Sequence, residues 1–419
     1  MQIQLSEHFT YRKLLRFVLP SILMIICTSI YSVVDGLFVS NFVGKTALAA
    51  INLTLPILMG LSALGFMIGT GGSAIVARML GEKKEDKANA YFSMLVYATM
   101  LGGIFLSVLG AILIPSICSL LGAKGALLSD CVLYARLSFI SLPAFMLQNV
   151  FQSFFVTAEK PHLGLYVIIA AGMTNMVLDF LFIAVFHWGI AGAAIATVCG
   201  EFIGGIFPIF YFSRKNSSLL HLGKTHWNGR VFFQTCINGS SELMTNLSSS
   251  IVNSLYNIQL MKFAGENGVA AYGTMMYINF VFLAIFFGYS IGSAPIISYH
   301  YGSGNHDELK NLFKKSLTLV GTWGIMLALL SQLLASPLSK LFVGYDAELF
   351  AMTEHGFRIY CLAYLINGFN IFGSSFFTAL NNGVISAAIS FLRTLVFQII
   401  MILLLPTLLG INGIWSAVG

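Results

Sequence analysis

The chain has 419 residues, of which 57% are hydrophobic and 9% charged, with a mean hydropathy of +0.86 and a formal net charge of +6. Ordinary soluble domains are about 25% charged, so this composition excludes a water-soluble globular protein and leaves no stretch for a separate soluble domain. The positive charge sits in loops on one side of the apolar stretches, which sets topology and removes the need for a DNA or RNA partner.

Apolar runs of 20 or more residues recur along the whole length, as helices spanning a bilayer require and as short alternating barrel strands do not. Arg12, Lys13 and Arg16 precede a first long span that contains Pro20 and Asp35, with no small-residue cleavage site, so that span is expected to stay in the mature protein. Spans are expected at about 14–40, 48–78, 88–118, 128–155, 163–186 and 190–213. A polar segment over 214–230 follows, and then spans at about 231–260, 268–300, 310–340, 350–378 and 384–409. A last span begins at Ile411 and is cut at Gly419. With the N-terminus in the cytoplasm, clusters such as Arg78 to Lys87, Arg214 to Arg230 and Lys310 to Lys315 fall inside. The outer side keeps Lys45, Lys124, Lys262 and Lys340.

The two halves of the chain repeat at a nearly constant offset. Gly44-Lys-Thr-Ala-Leu-Ala-Ala meets Gly265-Glu-Asn-Gly-Val-Ala-Ala, Asn149-Val-Phe meets Asn370-Ile-Phe, and Gly189-Ile-Ala-Gly meets Gly410-Ile-Asn-Gly. The expected fold is an all-α integral membrane protein: two pseudo-symmetric six-helix bundles around a central cavity, as several transporter folds are built. The expected units are residues 1–213, a cytoplasmic linker at 214–230, and residues 231–419 with an incomplete twelfth span. The repeat predicts that the natural protein continues past Gly419 by at least fifteen residues or so, through a complete twelfth span.

Four acids lie inside spans: Asp35, Asp179, Glu201 and Glu242. An intramembrane carboxylate costs about 2.5–3.5 kcal/mol on insertion scales and usually faces a bundle interior or a watery cavity. Asn175 and Asp179 are one helical turn apart on one face, and Thr197 and Glu201 share a face of the next helix. Two close carboxylates repel in low dielectric, and a pair such as Asp35 and Asp179 can exchange a proton for a cation. The oxygens of Asn175, Asp179 and Thr197 suit a hard cation such as Na⁺; the plainer alternative is a hydrogen-bonded cluster that holds two helices together. Glu201 and Glu242 are candidates to line the cavity, as are Asn149 and Asn370. Arg393 is expected to pair with an acid or to reach the membrane surface. His300 and His306 read as a solvated turn, and the six scattered cysteines as small hydrophobes.

Val34-Asp35-Gly-Leu-Phe-Val, Gly72-Ser-Ala through Gly81-Glu-Lys-Lys, Asn175-x-x-x-Asp179 and the Gly-Ile-x-Gly of both halves resemble the multidrug and toxic compound extrusion (MATE) transporters, over essentially the whole chain. The likeness is nearer to their prokaryotic DinF-like branch. That resemblance implies a cation or proton site at Asp35, Asn175, Asp179 and Thr197, with the Ala193 carbonyl a further ligand. The NorM-like branch uses acids in spans seven and ten; here span seven has Glu242 but the apolar body of span ten offers only Asn367 and Asn370.

The expected function is therefore a secondary active multidrug efflux antiporter of a bacterial or archaeal cytoplasmic membrane. It would export organic cations in exchange for H⁺ or Na⁺, with no cofactor and as a monomer. A lipid or lipid-linked oligosaccharide flippase of the same superfamily is the alternative, and its phosphate-bearing substrates would call for cationic cavity residues. No HExxH, GxSxG, metal-binding histidine pair or nucleotide loop is present, so an enzyme is not expected.

Overall fold

The computed structural model describes residues 3–417, the side chains at 36, 37, 40, 41, 45 and 48 excepted. The outward assignment of Lys45 and the expected continuation past Gly419 therefore lie outside the described residues.

The described residues form a nearly all-helical membrane protein. In the first half the helices are α1 (Tyr11–Phe42), α2 (Lys45–Gly81), α3 (Glu85–Leu120), α4 (Gly125–Thr157), α5 (Pro161–Asp179, continued as a π-helical turn over Phe180–Val185) and α6 (Gly189–Ser213). A non-helical segment then leads to α7 (Gly229–Gly302) and α8 (His306–Val343). Next, α9 (Ala347–Tyr360) runs through a 3₁₀ turn into α10 (Tyr364–Ala379), and α11 (Gly383–Phe391) runs through a π turn, Leu392–Phe397, into α12 (Gln398–Leu409). The last helix is α13 (Ile411–Ser416). Ten of these stretches are long and apolar enough to cross a membrane.

The spans expected at 231–260 and 268–300 are the two arms of α7, 74 residues in all. At 1.5 Å per residue α7 would reach about 110 Å if straight, more than three times a hydrocarbon core. It breaks at Gly265, whose φ of 61° and ψ of −151° suit a residue without Cβ. The two arms fold back on each other: the rings of Tyr256 and Tyr272 stack at 4.8 Å, and the Tyr272 hydroxyl donates to Asn253 Oδ1 at 2.8 Å. Each arm is long enough to cross once.

The internal repeat is written into the backbone as well as the sequence. Left-handed positions fall at Gly44 and Gly265, Lys83 and Gly304, Glu159 and Asn381, and Gly189 and Gly410, every pair in register with the repeat to within a single position. Most of these residues close a helix and redirect the chain into the next one, the commonest use of a left-handed residue. The two halves therefore turn alike at these four places, whereas Gly122, Gly125 and His187 have no left-handed counterpart among the described residues.

Within the first bundle, Phe92 packs between Phe154 at 4.9 Å and Phe212 at 5.1 Å, and Phe212 stacks on Phe151 at 5.8 Å. The two bundles meet at the end where α1 begins and α2 finishes. There, Gly71 of α2 faces Gly239 of α7, and a Cβ on Gly71 would lie 2.6 Å from the Gly239 nitrogen. Gly81 faces the carbonyl of Tyr299 while Gly302 faces the carbonyl of Arg78, a reciprocal contact between residues that the repeat makes equivalent. Glycines at the crossing let the backbones approach, which is how helices pack tightly where apolar surface gives no driving force. Beside this contact, Glu82 is held below the ordinary carboxylate range by Lys84, which donates to it at 2.5 Å, and by Arg78 at 2.9 Å.

Away from that closed end the bundles diverge. Asn246, Ser250, Ser254 and Asn257 make an exposed polar stripe along the first arm of α7, and Asn52 of α2 is exposed as well. Polar side chains bare at the depth of a span face water and not lipid. The central cavity thus opens toward the end opposite the closed one.

Candidate ion-coupling site

Three helices of the first bundle bring the predicted residues together. Asn175 and Asp179 occupy the last α-helical turn of α5, and the π turn begins at the next residue. Such a turn leaves part of the local backbone ladder irregular and is often found at functional positions. Helix α6 approaches α5 closely because Gly200 lies beneath it: a Cβ there would sit 2.9 Å from the Ala171 carbonyl oxygen and 3.2 Å from Asn175 Cβ. On the other flank Gly172 admits the ring of Tyr31, one turn before Asp35 on α1. Small residues thus carry α1 and α6 against opposite sides of α5.

The outcome is an oxygen cluster in which Asn175 and Asp179 are buried and Asp35 and Thr197 half-buried. Asn175 Nδ2 donates to Thr197 Oγ1 at 3.4 Å. Asp179 has no solvent exposure, and it lies within electrostatic range of Asp35. No protein donor among the described residues satisfies Asp179 Oδ1 or Oδ2, Asp35 Oδ1, or Asn175 Oδ1. Two acceptors cannot satisfy each other, and an uncompensated buried ion costs several kcal/mol. The chemistry of this donor set therefore calls for a proton or a small hard cation, because four unpartnered oxygens and no nitrogen or sulfur ligand are present.

The other expectations divide. Glu201 of α6 joins the rim of the cluster, near Ser141 of α4 and within electrostatic range of Asp35; the Ser141 hydroxyl donates to the Ser138 carbonyl at 3.0 Å. Ala193 is buried one turn from Thr197, but it lies inside the continuous helix α6, where its carbonyl already serves the backbone ladder. Glu242 does not reach the cluster: it belongs to α7 and faces Arg393 across the second bundle. The two make no direct ion pair among the described residues; Arg393 Nε donates to Thr394 Oγ1 at 3.3 Å and its Nη1 is buried without a partner. Asn149 is corrected as a cavity residue, because it is buried and its Nδ2 donates to the Ser62 carbonyl at 3.2 Å, tying α4 to α2. Asn370 stays half-buried on α10. His300, expected in a solvated turn, is 1% exposed in the last turn of α7, while His306 is exposed as expected.

Sequence reasoning passed over three neighbours of the site. Tyr31 receives a hydrogen bond from Gln148 Nε2 at 3.5 Å, Tyr134 is buried within electrostatic range of all three acids, and Ser141 meets Glu201. The spacing held a signal: Tyr31 is four residues before Asp35, and Tyr134 and Ser141 are seven apart on α4, so each pair shares a helix face.

The family model MatE matches residues 20–181 and, again, 243–404. The chain belongs to the MatE family. Two matches in tandem reproduce the internal repeat, and the family assignment makes this a transport protein and not an enzyme. Asp35, Asn175 and Asp179 lie inside the first match, whereas Ala193, Thr197, Glu201 and Glu242 lie between the two. The chain is 25% identical to the multidrug export protein MepA of Staphylococcus haemolyticus, over 98% of this chain and 90% of that protein. Among solved structures it resembles the outward-facing conformation of a multidrug resistance MATE family transporter of the MOP superfamily, with TM-score 0.93 and 21% identity over 99% of this chain and 92% of that one. It also resembles MATE in complex with MaL6, with TM-score 0.92 and 22% identity over 99% and 93%. At these identities the structures speak for the fold.

Proposed function

We propose that the protein is a secondary active multidrug efflux antiporter that exports organic cations in exchange for H⁺ or Na⁺ across a cytoplasmic membrane. The observation that carries the reading is the Asp35–Asp179 pair, set in one bundle with three buried oxygens that no protein donor among the described residues satisfies. Asp35 and Asp179 hold the coupling ion, Asn175 and Thr197 complete its oxygen set, and Glu201 adds negative charge at the rim. The N-terminus is cytoplasmic, so the closed end faces inward and the polar stripe of α7 faces an outward-open cavity. The bundles, residues 1–213 and 231–419 joined by 214–230, rock as a single monomer between this state and an inward-open one.

Coupling requires that ion and drug favour different states, since a ligand with equal affinity for both shifts nothing. A cation or proton at Asp35 and Asp179 removes their mutual repulsion and lets α1 repack against α5, which drives the drug off outside. MepA, a relative named for multidrug export, supports the substrate class.

The test is efflux of a fluorescent organic cation from proteoliposomes under an imposed proton gradient or sodium gradient, with Asp35→Asn beside the parent. Transport driven by one gradient and lost in the variant supports the antiporter and names its ion. If neither gradient moves the cation, a flippase of phosphate-bearing lipids becomes the better reading; the buried, unpartnered Nη1 of Arg393 is the observation that favours it.

A further inference from the structure

The residues ahead of α1 cross from one bundle to the other. Leu5 and Phe9 are fully buried, packed in the core that joins α1 to Tyr289, Ile296 and Leu312 of the second bundle. The Leu5 N–H donates to Glu159 Oε1 at 2.6 Å, in the turn between α4 and α5. The remaining fasteners come from α8. The Phe9 N–H donates to Glu308 Oε1 at 2.9 Å, His8 Nδ1 lies 2.6 Å from Glu308 Oε2, and Asn311 Nδ2 and Lys315 Nζ donate to the Phe9 carbonyl at 3.1 and 2.6 Å. Glu308 itself is 5% exposed, so its bond from the Phe9 N–H forms out of water, whereas the His8 side chain is largely exposed.

The repeat supplies a reciprocal. The segment ahead of α7 lies on α3, whose start at Glu85 is the repeat counterpart of the start of α8 at His306. There the His221 N–H donates to Asn89 Oδ1 at 2.7 Å, the Gly223 N–H to Ser93 Oγ at 3.0 Å, and Thr225 Oγ1 to the Ala90 carbonyl at 2.7 Å. Each bundle is thus entered through a segment that first rests on the other bundle, and both rest at the closed end. The two differ in kind. The fastening of residues 5–9 uses charged groups, Glu159 on Leu5, Lys315 on the Phe9 carbonyl and above all Glu308 with two partners on the strap, whereas the bonds of 221–228 come from neutral groups.

We propose that residues 3–10 are a latch that holds the two bundles together at the closed end, and that its release from Glu308 is a step in opening that end. The inference rests on the alternating-access reading above. Separating the bundles there carries α8 away from the start of α1, so the bonds between Glu308 and Phe9 and His8 must break or α1 must unwind to follow. The latch therefore sets how often the closed end opens without touching the ion or the drug.

Ser21 of α1 reports on the closure, because it has no solvent exposure and its side chain faces Gly292 of α7. A Ser21→Cys reporter in a protein stripped of its six native cysteines would be labelled with a polar maleimide in detergent. Four forms are compared: the reporter alone, Glu308→Ala, a deletion of residues 2–9, and Gly302→Val as a wedge that acts without the latch by pressing on the Arg78 carbonyl. Hydrogen bonds to a charged group of this kind predict that Glu308→Ala and the deletion each raise the labelling rate about tenfold. If the wedge raises labelling while both latch variants stay within about twofold of the reporter alone, the latch is overturned and the rocking of the bundles stands. If the wedge also has no effect, the rocking itself fails and takes the latch with it.

Discussion

Replacing Asp179 by Asn should break ion coupling and stabilise the protein in the same stroke. The side chain is wholly buried and both carboxylate oxygens lack a protein donor, so the ionised group contributes nothing to the fold that Asn would lose. A charge at this depth costs about 2.5–3.5 kcal/mol on insertion scales. Repulsion from Asp35 adds up to about 4 kcal/mol for unit charges 4 Å apart at an effective dielectric near 20. Relaxation and penetrating water remove part of each, so we take about 2–3 kcal/mol as the gain from D179N when no proton or cation occupies the pair. For a bundle of about 200 residues, 1 kcal/mol moves the melting temperature by about 2–4 °C, so the expected rise is about 5–10 °C.

The sign follows from the charge. The gain is largest at high pH without Na⁺, where both carboxyls are ionised in the parent, and shrinks as pH falls or the coupling ion is added, because either neutralises the pair in the parent alone. Thermal unfolding followed by intrinsic fluorescence across pH, in sodium and in choline buffers, measures this directly. Gradient-driven efflux of the same preparation should drop at least tenfold, since the interaction removed is the one that distinguishes the two states. A variant that melts lower than the parent at every pH, or that keeps gradient-driven efflux, would refute the reasoning and leave Asp179 as helix glue.

Further outcomes follow from the packing. Gly71→Ala places a methyl against the Gly239 backbone at the closed end; overpacking of about 1–3 kcal/mol should shift the population toward opening by about 5- to 150-fold, read as faster labelling of a buried cysteine there. Phe92→Ala opens the ring cluster of Phe151, Phe154 and Phe212 and should cost about 3–5 kcal/mol of stability, with efflux per folded molecule unchanged. Asn149→Ala should lose about 1 kcal/mol through its bond to Ser62 and leave ion selectivity intact, as transport assays under each gradient would show. Glu82 has its folded-state pKa lowered by Lys84 and Arg78, so its stabilisation is present above its ordinary value of 4.5 and is lost as pH falls through the lowered one. Glu82→Gln should therefore lower stability at neutral pH by a modest amount and flatten the acid limb of the unfolding profile, so that parent and variant converge once Glu82 is protonated.

Much of this protein was legible without coordinates, and for a local reason. Hydropathy records where each stretch of chain must sit, so the membrane spans, the repeat of one half in the other, and the placing of Asn175 with Asp179 on one face and Thr197 with Glu201 on another all follow from the order of residues along the chain. Other features needed more than that. Asn149 and Asp179 look alike from the sequence, both polar and both within a span; one turns toward the Ser62 carbonyl and the other toward Asp35, far earlier in the chain. Which of these happens depends on where helices cross, and the crossings are set by Gly172, Gly200, Gly71 and Gly302 meeting backbone or ring atoms of other helices. The same holds for His300, buried by the docking of Phe9, and for Glu242, held apart from the other acids because its helix belongs to the second bundle. Periodicity determines which face of a helix is apolar; only the three-dimensional packing of small residues decides which faces meet, and thereby which carboxylates share a site.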